Sequence, residues 1–408
     1  MLQSSFHGKQ TKGFNRSFIQ YITSRAASGV ALQMTGVAVG WHIYAMTGRA
    51  FDLGLVGLVQ FLPSVLLLLF VGHAADRYNR LLIVGVAQVV MAIILVLISL
   101  GTGSHWIARE SLLALLFLFG VARTFEFTTA QTIIPSLVDQ EVLPRALALG
   151  SSVRQAAIIA GPVLGGFLYL LGPAVVYAVS AILFLASAIL VSRLHLVRRV
   201  QRREAVSFSS IFGGIAYIRS QPVILGAISL DLFAVLLGGA TALLPIYARD
   251  ILHAGPSGLG CLRAGPAVGA LVSSLYLARF PLRRHVGKMM FSAVALFGAA
   301  TIVFAVSHSM MLSFISLVVL GGADMISVVI RSSLVQLETP DEMRGRVSAV
   351  NAIFIGSSNE LGEFESGLTA AWFGVIPAAV MGGVGTLLVA LLWMRMFPQL
   401  LQRQQLRS

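Results

Sequence analysis

Two apolar runs, residues 53–71 and 81–100, are joined by only nine residues, Gly72-His73-Ala74-Ala75-Asp76-Arg77-Tyr78-Asn79-Arg80. Each run is close to the roughly 20 residues that a helix needs to cross a bilayer. A joint this short makes the runs antiparallel neighbours. Its two arginines resist translocation, which holds it on the cytoplasmic side. The same alternation fills most of the 408 residues, of which 57% are hydrophobic and 11% charged, against about 25% charged in soluble domains. In lipid every backbone N–H and C=O must be paired internally, so runs of this length are helices, whereas barrel strands would alternate residue by residue. The chain reads as an all-α polytopic membrane protein.

In chain order, spans are expected at about residues 17–46, 53–71, 81–100, 107–130, 145–171 and 173–194, then 223–247, 257–278, 289–306 and 310–334, with two more before residue 396. That makes twelve transmembrane helices with both termini cytoplasmic. The longest polar segment, residues 193–222, carries Arg198, Arg199, Arg202, Arg203 and Arg219, with Ile211, Phe212, Ile215 and Ile218 at helical spacing. It reads as a basic link followed by an amphipathic helix on the inner surface. The expected division is residues 1–196, a linker at 197–222, and residues 223–408. The two halves repeat weakly: Leu143-Pro144-Arg145-Ala146 before the fifth span corresponds to Met343-Arg344-Gly345 before the eleventh.

The formal net charge of +13 could suggest nucleic acid, but its placement argues otherwise. Of the 29 Lys and Arg, 21 fall in segments expected on the cytoplasmic side, three outside and five within spans. This is positive-inside asymmetry. A single cysteine, Cys261, excludes an internal disulfide and a cysteine metal site. No cleavable signal peptide is visible before the first span. No cofactor or metal is expected.

Ionisable groups inside a bundle are costly and usually face a cavity or a partner. They are therefore the candidate functional residues: Arg25, Arg123, Glu126, Arg154, Asp231, Arg263, Asp324, Arg331, Glu360, Glu363 and Glu365. Glu360 and Glu363 lie three apart, on one helical face, while Glu365 points elsewhere. Two carboxylates close together in low dielectric repel each other, which makes one of them a candidate proton carrier. Asp231 has no cation at helical spacing in its own span and must find a partner across the bundle, line water or hold a proton. Asp324 follows Gly321-Gly322, where close helix packing is expected, with Arg331 as a candidate partner. Arg123 and Glu126 are three apart and are expected to form a local bridge, with Arg154 competing for Glu126. Trp41, Tyr44, Phe125, Phe127, Phe233, Phe354 and Phe364 could line a cavity.

Gly72, Asp76, Arg77 and Arg80 resemble the signature that major facilitator superfamily transporters carry between their second and third helices, Gly-x-x-x-Asp-Arg/Lys-x-Gly-Arg-Arg/Lys. Asn79 stands where the signature has a glycine, and Leu81 where it has a basic residue. Asn is a mild departure because it enters the left-handed region readily. The resemblance implies two six-helix halves around a midplane cavity, and a latch in which these residues hold and release the cytoplasmic helix ends. Gly161-Pro162-Val163-Leu164-Gly165-Gly166 is similar to the end of that superfamily's antiporter motif, with Ala157 where the fuller motif has a glycine. Its proline removes a backbone donor and bends the helix, and its glycines admit a neighbour closely. Leu230-Asp231-Leu232-Phe233 through Pro245, and Arg344-Gly345-Arg346-Val347 through Gly367, resemble the enterobactin-exporter branch. What this implies is efflux of a siderophore or drug-like amphipathic molecule driven by proton entry. The implied protein is a monomer in a bacterial inner membrane, whose partners are a small-molecule substrate, protons and the lipid bilayer, with no nucleic acid.

Other readings are uptake by symport or uniport, a membrane-embedded enzyme, and a non-transporting receptor or assembly factor. No phosphate-binding Gly-x-x-x-x-Gly-Lys-Ser/Thr loop, His-Glu-x-x-His pair or Gly-x-Ser-x-Gly elbow occurs. The enzyme reading and ATP-driven pumping are therefore disfavoured.

Overall fold

The computed structural model describes residues 14–194, 208–280, 282 and 284–405, and no strand occurs among them. Twelve long helices form the bundle. The first six are α1 (Arg16–Thr47), α2 (Ala50–Leu66, continuing after Leu67 as Leu68–Arg77), α3 (Arg80–Gly103), α4 (Arg109–Ala130), α5 (Leu143–Leu168) and α6 (Pro173–Ser192). The second six are α7 (Pro222–Leu237, followed by a broken stretch through Ile251), α8 (Gly255–Arg279), α9 (Val286–Ala305), α10 (Met310–Glu338), α11 (Asp341–Phe373) and α12 (Val375–Met396). An amphipathic helix, Phe208–Ser220, lies before α7. Its Ile218 is buried, and Ile224, Val335, Val347 and Val350 form the cluster around it. The basic link at residues 195–207 lies outside the described residues.

Among the described residues, nine stretches, each containing one of these helices, are long and apolar enough to cross a membrane by length and composition. The exceptions are α1, α2 and α11. These three helices contribute most of the wall of the smaller of the two cavities described below. The Ala50–Leu66 part of α2 is apolar but short, whereas α1 and α11 face polar groups on one side and so are not uniformly apolar.

Two local features differ from the sequence expectation. The charged joint is mostly helical: the chain stays in helix through Arg77, and only Tyr78 and Asn79 lie outside it. Asn79 is not left-handed (φ −65°, ψ 118°); it caps α3, its side-chain oxygen accepting from Leu81 N at 3.0 Å. The seventh span is not continuous. Pro245 has no N–H to return to the preceding turn, and Gly238-Gly239 add no helix propensity. The helix stops at Leu237, passes through a short 3₁₀ turn at Ala240–Leu243, and ends in a π-helical turn at Tyr247–Ile251.

The repeat shows in the backbone. Gly172 (φ 105°, ψ 153°) joins α5 to α6, and Gly374 (φ 91°, ψ 161°) joins α11 to α12. Both turns need a positive φ that side chains resist, and they occupy equivalent places in the two halves. Small residues set the helix crossings. A Cβ on Gly321 of α10 would overlap the Pro266 carbonyl of α8, and one on Gly269 of α8 would overlap the Val318 carbonyl of α10. The close packing expected at Gly321-Gly322 is present.

Contacts between the halves concentrate at the end away from most basic helix termini. There Gly166 of α5 meets Pro256 and Gly260 of α8, and Gly54 of α2 meets Phe364 and Gly367 of α11. Tyr44 of α1 donates to Asp250, and the Arg249 guanidinium lies 5.5 Å from the Tyr44 ring centre. Toward the basic end, a Cβ on Gly72, Gly345 or Gly356 would meet nothing within 4 Å among the described residues.

Candidate functional site

Two cavities adjoin in the middle of the bundle. The first, about 190 Å³, is walled mainly by α1, α2 and α4, with Arg263 of α8 and Glu360 and Glu363 of α11. The second, about 350 Å³, lies between α5, the broken part of α7, α8, α10 and α11. Arg263 and Glu363 border both. They stand at the junction of two lobes of one chamber between the halves.

Helix geometry puts these groups there. Glu360 and Glu363 are one turn apart on α11, and both line the first lobe. A Cβ on Gly57 of α2 would lie 3.1 Å from the Glu363 carboxylate, and one on Gly36 of α1 would lie 2.8 Å from the Arg263 guanidinium. The bare glycine faces of α1 and α2 thus leave space for the charged ends. Arg123 of α4 lies 3.7 Å from Glu360 Oε1, an ion pair across the two halves, and donates to Gln60 Oε1 at 3.4 Å. Gln155 of α5 donates to the Ala267 carbonyl of α8 at 2.9 Å, a second link across the halves in the larger lobe. Glu365 is turned aside and accepts from Thr369 at 2.7 Å.

The remaining candidates are not in the first lobe. Asp231 pairs with Arg331 of α10, and the two are 4% and 1% exposed. Arg331 is therefore the partner of Asp231 and not, as expected, of Asp324. Asp324 instead lines the larger lobe, together with Arg263 and Glu363. Arg123 does not bridge to Glu126. Glu126 pairs with Arg25 of α1 and accepts from Gln88 of α3 at 3.3 Å, so three helices of the first half share one buried carboxylate. Arg154 is exposed and, among the described residues, has no ion-pair partner. Sequence spacing favoured partners on the same helix, but the bundle supplies partners on neighbouring helices.

Of the signature residues, Gly72 lies in the last helical stretch of α2 and Arg77 is exposed. The Asp76 side chain lies outside the described residues, and Arg80 opens α3. In the fifth helix, a Cβ on Gly161 would press on Gln33 and one on Gly165 on Met34, both of α1, while Gly166 faces α8. Pro162 is inside a continuous α5, and its carbonyl abuts Gly260. The motif is where one helix packs against both halves.

None of the seven suggested aromatics lines either lobe. Phe233 packs on Trp393 at 5.2 Å, Phe364 on Phe51 at 6.3 Å, and Trp41 on Tyr169 at 6.2 Å. Phe354 packs on an apolar cluster, Phe127 is exposed and Phe125 is partly buried. The aromatic walls are Phe119 and Phe297. Phe119 and Phe297 were missed because nothing local distinguishes them from core residues, whereas Gln60 carried a signal, a lone amide in an apolar run, that a search confined to ionisable groups passes over.

The comparisons with known proteins agree on the family. The Major Facilitator Superfamily profile matches residues 22–362. The enterobactin exporter EntS of Citrobacter koseri is 26% identical over 395 residues, spanning 95% of this chain and 94% of that protein. The protein of the same name from Escherichia coli O1:K1 / APEC is 24% identical over 395 residues, with the same coverage. Among solved structures, a bacterial homologue of the human lysosomal transporter Spinster superposes with TM-score 0.73 at 14% identity, covering 94% of this chain and 97% of that one. A bacterial homologue of the iron transporter ferroportin gives TM-score 0.72 at 18% identity, covering 96% and 100%.

Proposed function

The chain belongs to the major facilitator superfamily, and from that premise we propose that it exports a small amphipathic molecule of the siderophore type by proton antiport. It is a multi-pass membrane transporter and not an enzyme. The observation that carries the proposal is the two-lobed chamber, with Glu360 and Glu363 facing it beside Arg123 and Arg263. The larger lobe alone lies within the roughly 300–1,000 Å³ of small-molecule sites.

Catechol and hydroxamate siderophores present O–H donors. An ionised carboxylate accepts them in short, charge-assisted bonds, and a protonated one has already used part of that capacity. Binding therefore favours loss of a proton from the chamber, and proton entry favours loss of substrate. This competition is the thermodynamic requirement for antiport, since a ligand shifts an equilibrium only by its differential affinity. The guanidiniums of Arg123 and Arg263 supply fixed donors for carbonyl and phenolate oxygens.

On this reading the halves, residues 1–196 and 223–408 joined by 197–222, rock about the chamber. The contacts at Tyr44–Asp250, Gly54–Gly367 and Gly166–Gly260 close the outer end. The Gly72, Asp76, Arg77 and Arg80 segment latches the inner end in the opposite state. Gly161, Pro162, Gly165 and Gly166 hold the outer crossing. Asp231–Arg331 and Arg25–Glu126 fasten helices within each half. The transporter works as a monomer in a bacterial inner membrane, with both termini in the cytoplasm.

The test uses inside-out proteoliposomes with an acidic lumen and iron-free enterobactin as the probe. The expected result is gradient-dependent accumulation that collapses when the pH difference is dissipated. Accumulation indifferent to the gradient would refute proton antiport, and failure to accumulate enterobactin would refute the substrate class.

A further inference from the structure

The ionised groups around the larger lobe do not balance. Arg123 meets Glu360, Arg263 shares the junction with Glu363, and Arg331 is held by Asp231. Among the described residues neither the Glu363 nor the Asp324 carboxylate has a salt bridge or hydrogen bond, but Arg263 borders Glu363 in both lobes and Asp324 in the larger one alone. Asp324 is therefore the least compensated of these acids. It borders the 350 Å³ lobe and also a void of about 10 Å³, which it shares with Asp231 and Ser327. Among the described residues Ser327 Oγ and Arg331 Nε are both buried without a hydrogen-bond partner, and Asp324, Ser327 and Arg331 follow one another along a single face of α10.

Charges reach Asp324 from several packed elements. Asp231 comes from α7, Arg263 from α8, Glu363 from α11, and Arg331 from its own helix. The lobe residues from α5 and α9, Gln155, Ile158 and Phe297, are uncharged. Three carboxylates thus meet two guanidiniums, and an uncompensated charge is costly within a membrane bundle. The larger lobe gives Asp324 a route to exchange that charge, whereas Asp231 is sealed in its pair.

We propose that Asp324 is the proton carrier of the chamber: its carboxyl holds a proton in this conformation and gives it up to the larger lobe when a hydroxyl-donating substrate binds. The first half of this statement stands on the charge arrangement alone, and the second rests on the antiport reading. Ionised Asp324 would face Asp231 across their shared void, so its charge acts directly on the α7–α10 contact.

The test is infrared spectroscopy of the full chain in liposomes, reading the carbonyl band of protonated carboxyl groups at neutral pH. The expected result is a band that is absent in Asp324→Asn, present in Asp324→Glu and kept in Glu363→Gln. A band unaffected by Asp324→Asn would overturn the proposal. Should that variant not fold, wild-type protein decides, through labelling with a carbodiimide selective for protonated carboxyls and peptide mapping. Label on Asp324 supports the assignment, and label on other chamber acids with none on Asp324 overturns it. Enterobactin added to wild type is expected to diminish the Asp324 band; an undiminished band would overturn the substrate-linked step. Absence of proton-driven enterobactin transport in vesicles would instead refute the antiport reading, while the band still decides the protonation of Asp324.

Discussion

At the scale of single residues, buried charge separates fasteners from working groups. Asp231 and Arg331 are almost fully enclosed and bound to each other. Removing one partner strands the other charge, at a cost of roughly 3–5 kcal/mol. Asp231→Asn is therefore expected to lower the thermal midpoint of the detergent-purified protein strongly, and the double change Asp231→Leu with Arg331→Met to recover much of the loss. An unchanged midpoint in the single variant would return Asp231 to the list of exchangeable acids. Glu363 differs, because its carboxylate borders open space in both lobes. Glu363→Gln is expected to weaken enterobactin binding about tenfold, the equivalent of about 1.4 kcal/mol, as measured by calorimetry. Glu365→Gln, whose carboxylate accepts from Thr369 on its own helix, is expected to bind normally.

At the scale of elements, the crossings rest on missing side chains. Gly166 faces the Pro256 carbonyl and the Gly260 backbone, so Gly166→Val must push α5 away from α8. That variant is expected to lose most transport in vesicles while still inserting in the membrane. Gly85→Ala on α3 is the control: its Cβ meets nothing within 4 Å, and losing a helical glycine is worth roughly 0.5–1 kcal/mol of stability. Its thermal midpoint should rise slightly, with transport retained. Much at this scale is legible in the sequence. The one-turn spacing of Glu360 and Glu363, the Gly-Pro-x-x-Gly-Gly segment and the turn at Gly172 are local, and local geometry follows from the residues. The break in α7 had its signals in Gly238-Gly239 and Pro245. The pairings Arg331–Asp231, Arg25–Glu126 and Arg123–Glu360 were not legible, because each joins residues at least 100 positions apart whose proximity depends on how whole helices are placed.

At the scale of the molecule, α1, α2 and α11 are too polar or too short to pass as uniform apolar spans, and they form most of the first lobe's wall. The halves touch at the end away from most basic helix termini and leave glycine faces open at the basic end. Tyr44→Phe removes the hydroxyl that donates to Asp250. Spin labels beside Tyr44 and Asp250 are expected to report a larger share of long distances in that variant, and an unchanged distribution would show that the contact does not hold this end closed. The account as a whole depends on proton and substrate competing for one chamber. The most direct measurement is proton release when enterobactin is added to the purified wild-type protein in weakly buffered detergent solution. The account predicts release at neutral pH that fades as the medium becomes basic; saturating binding with no proton released at any pH would contradict it.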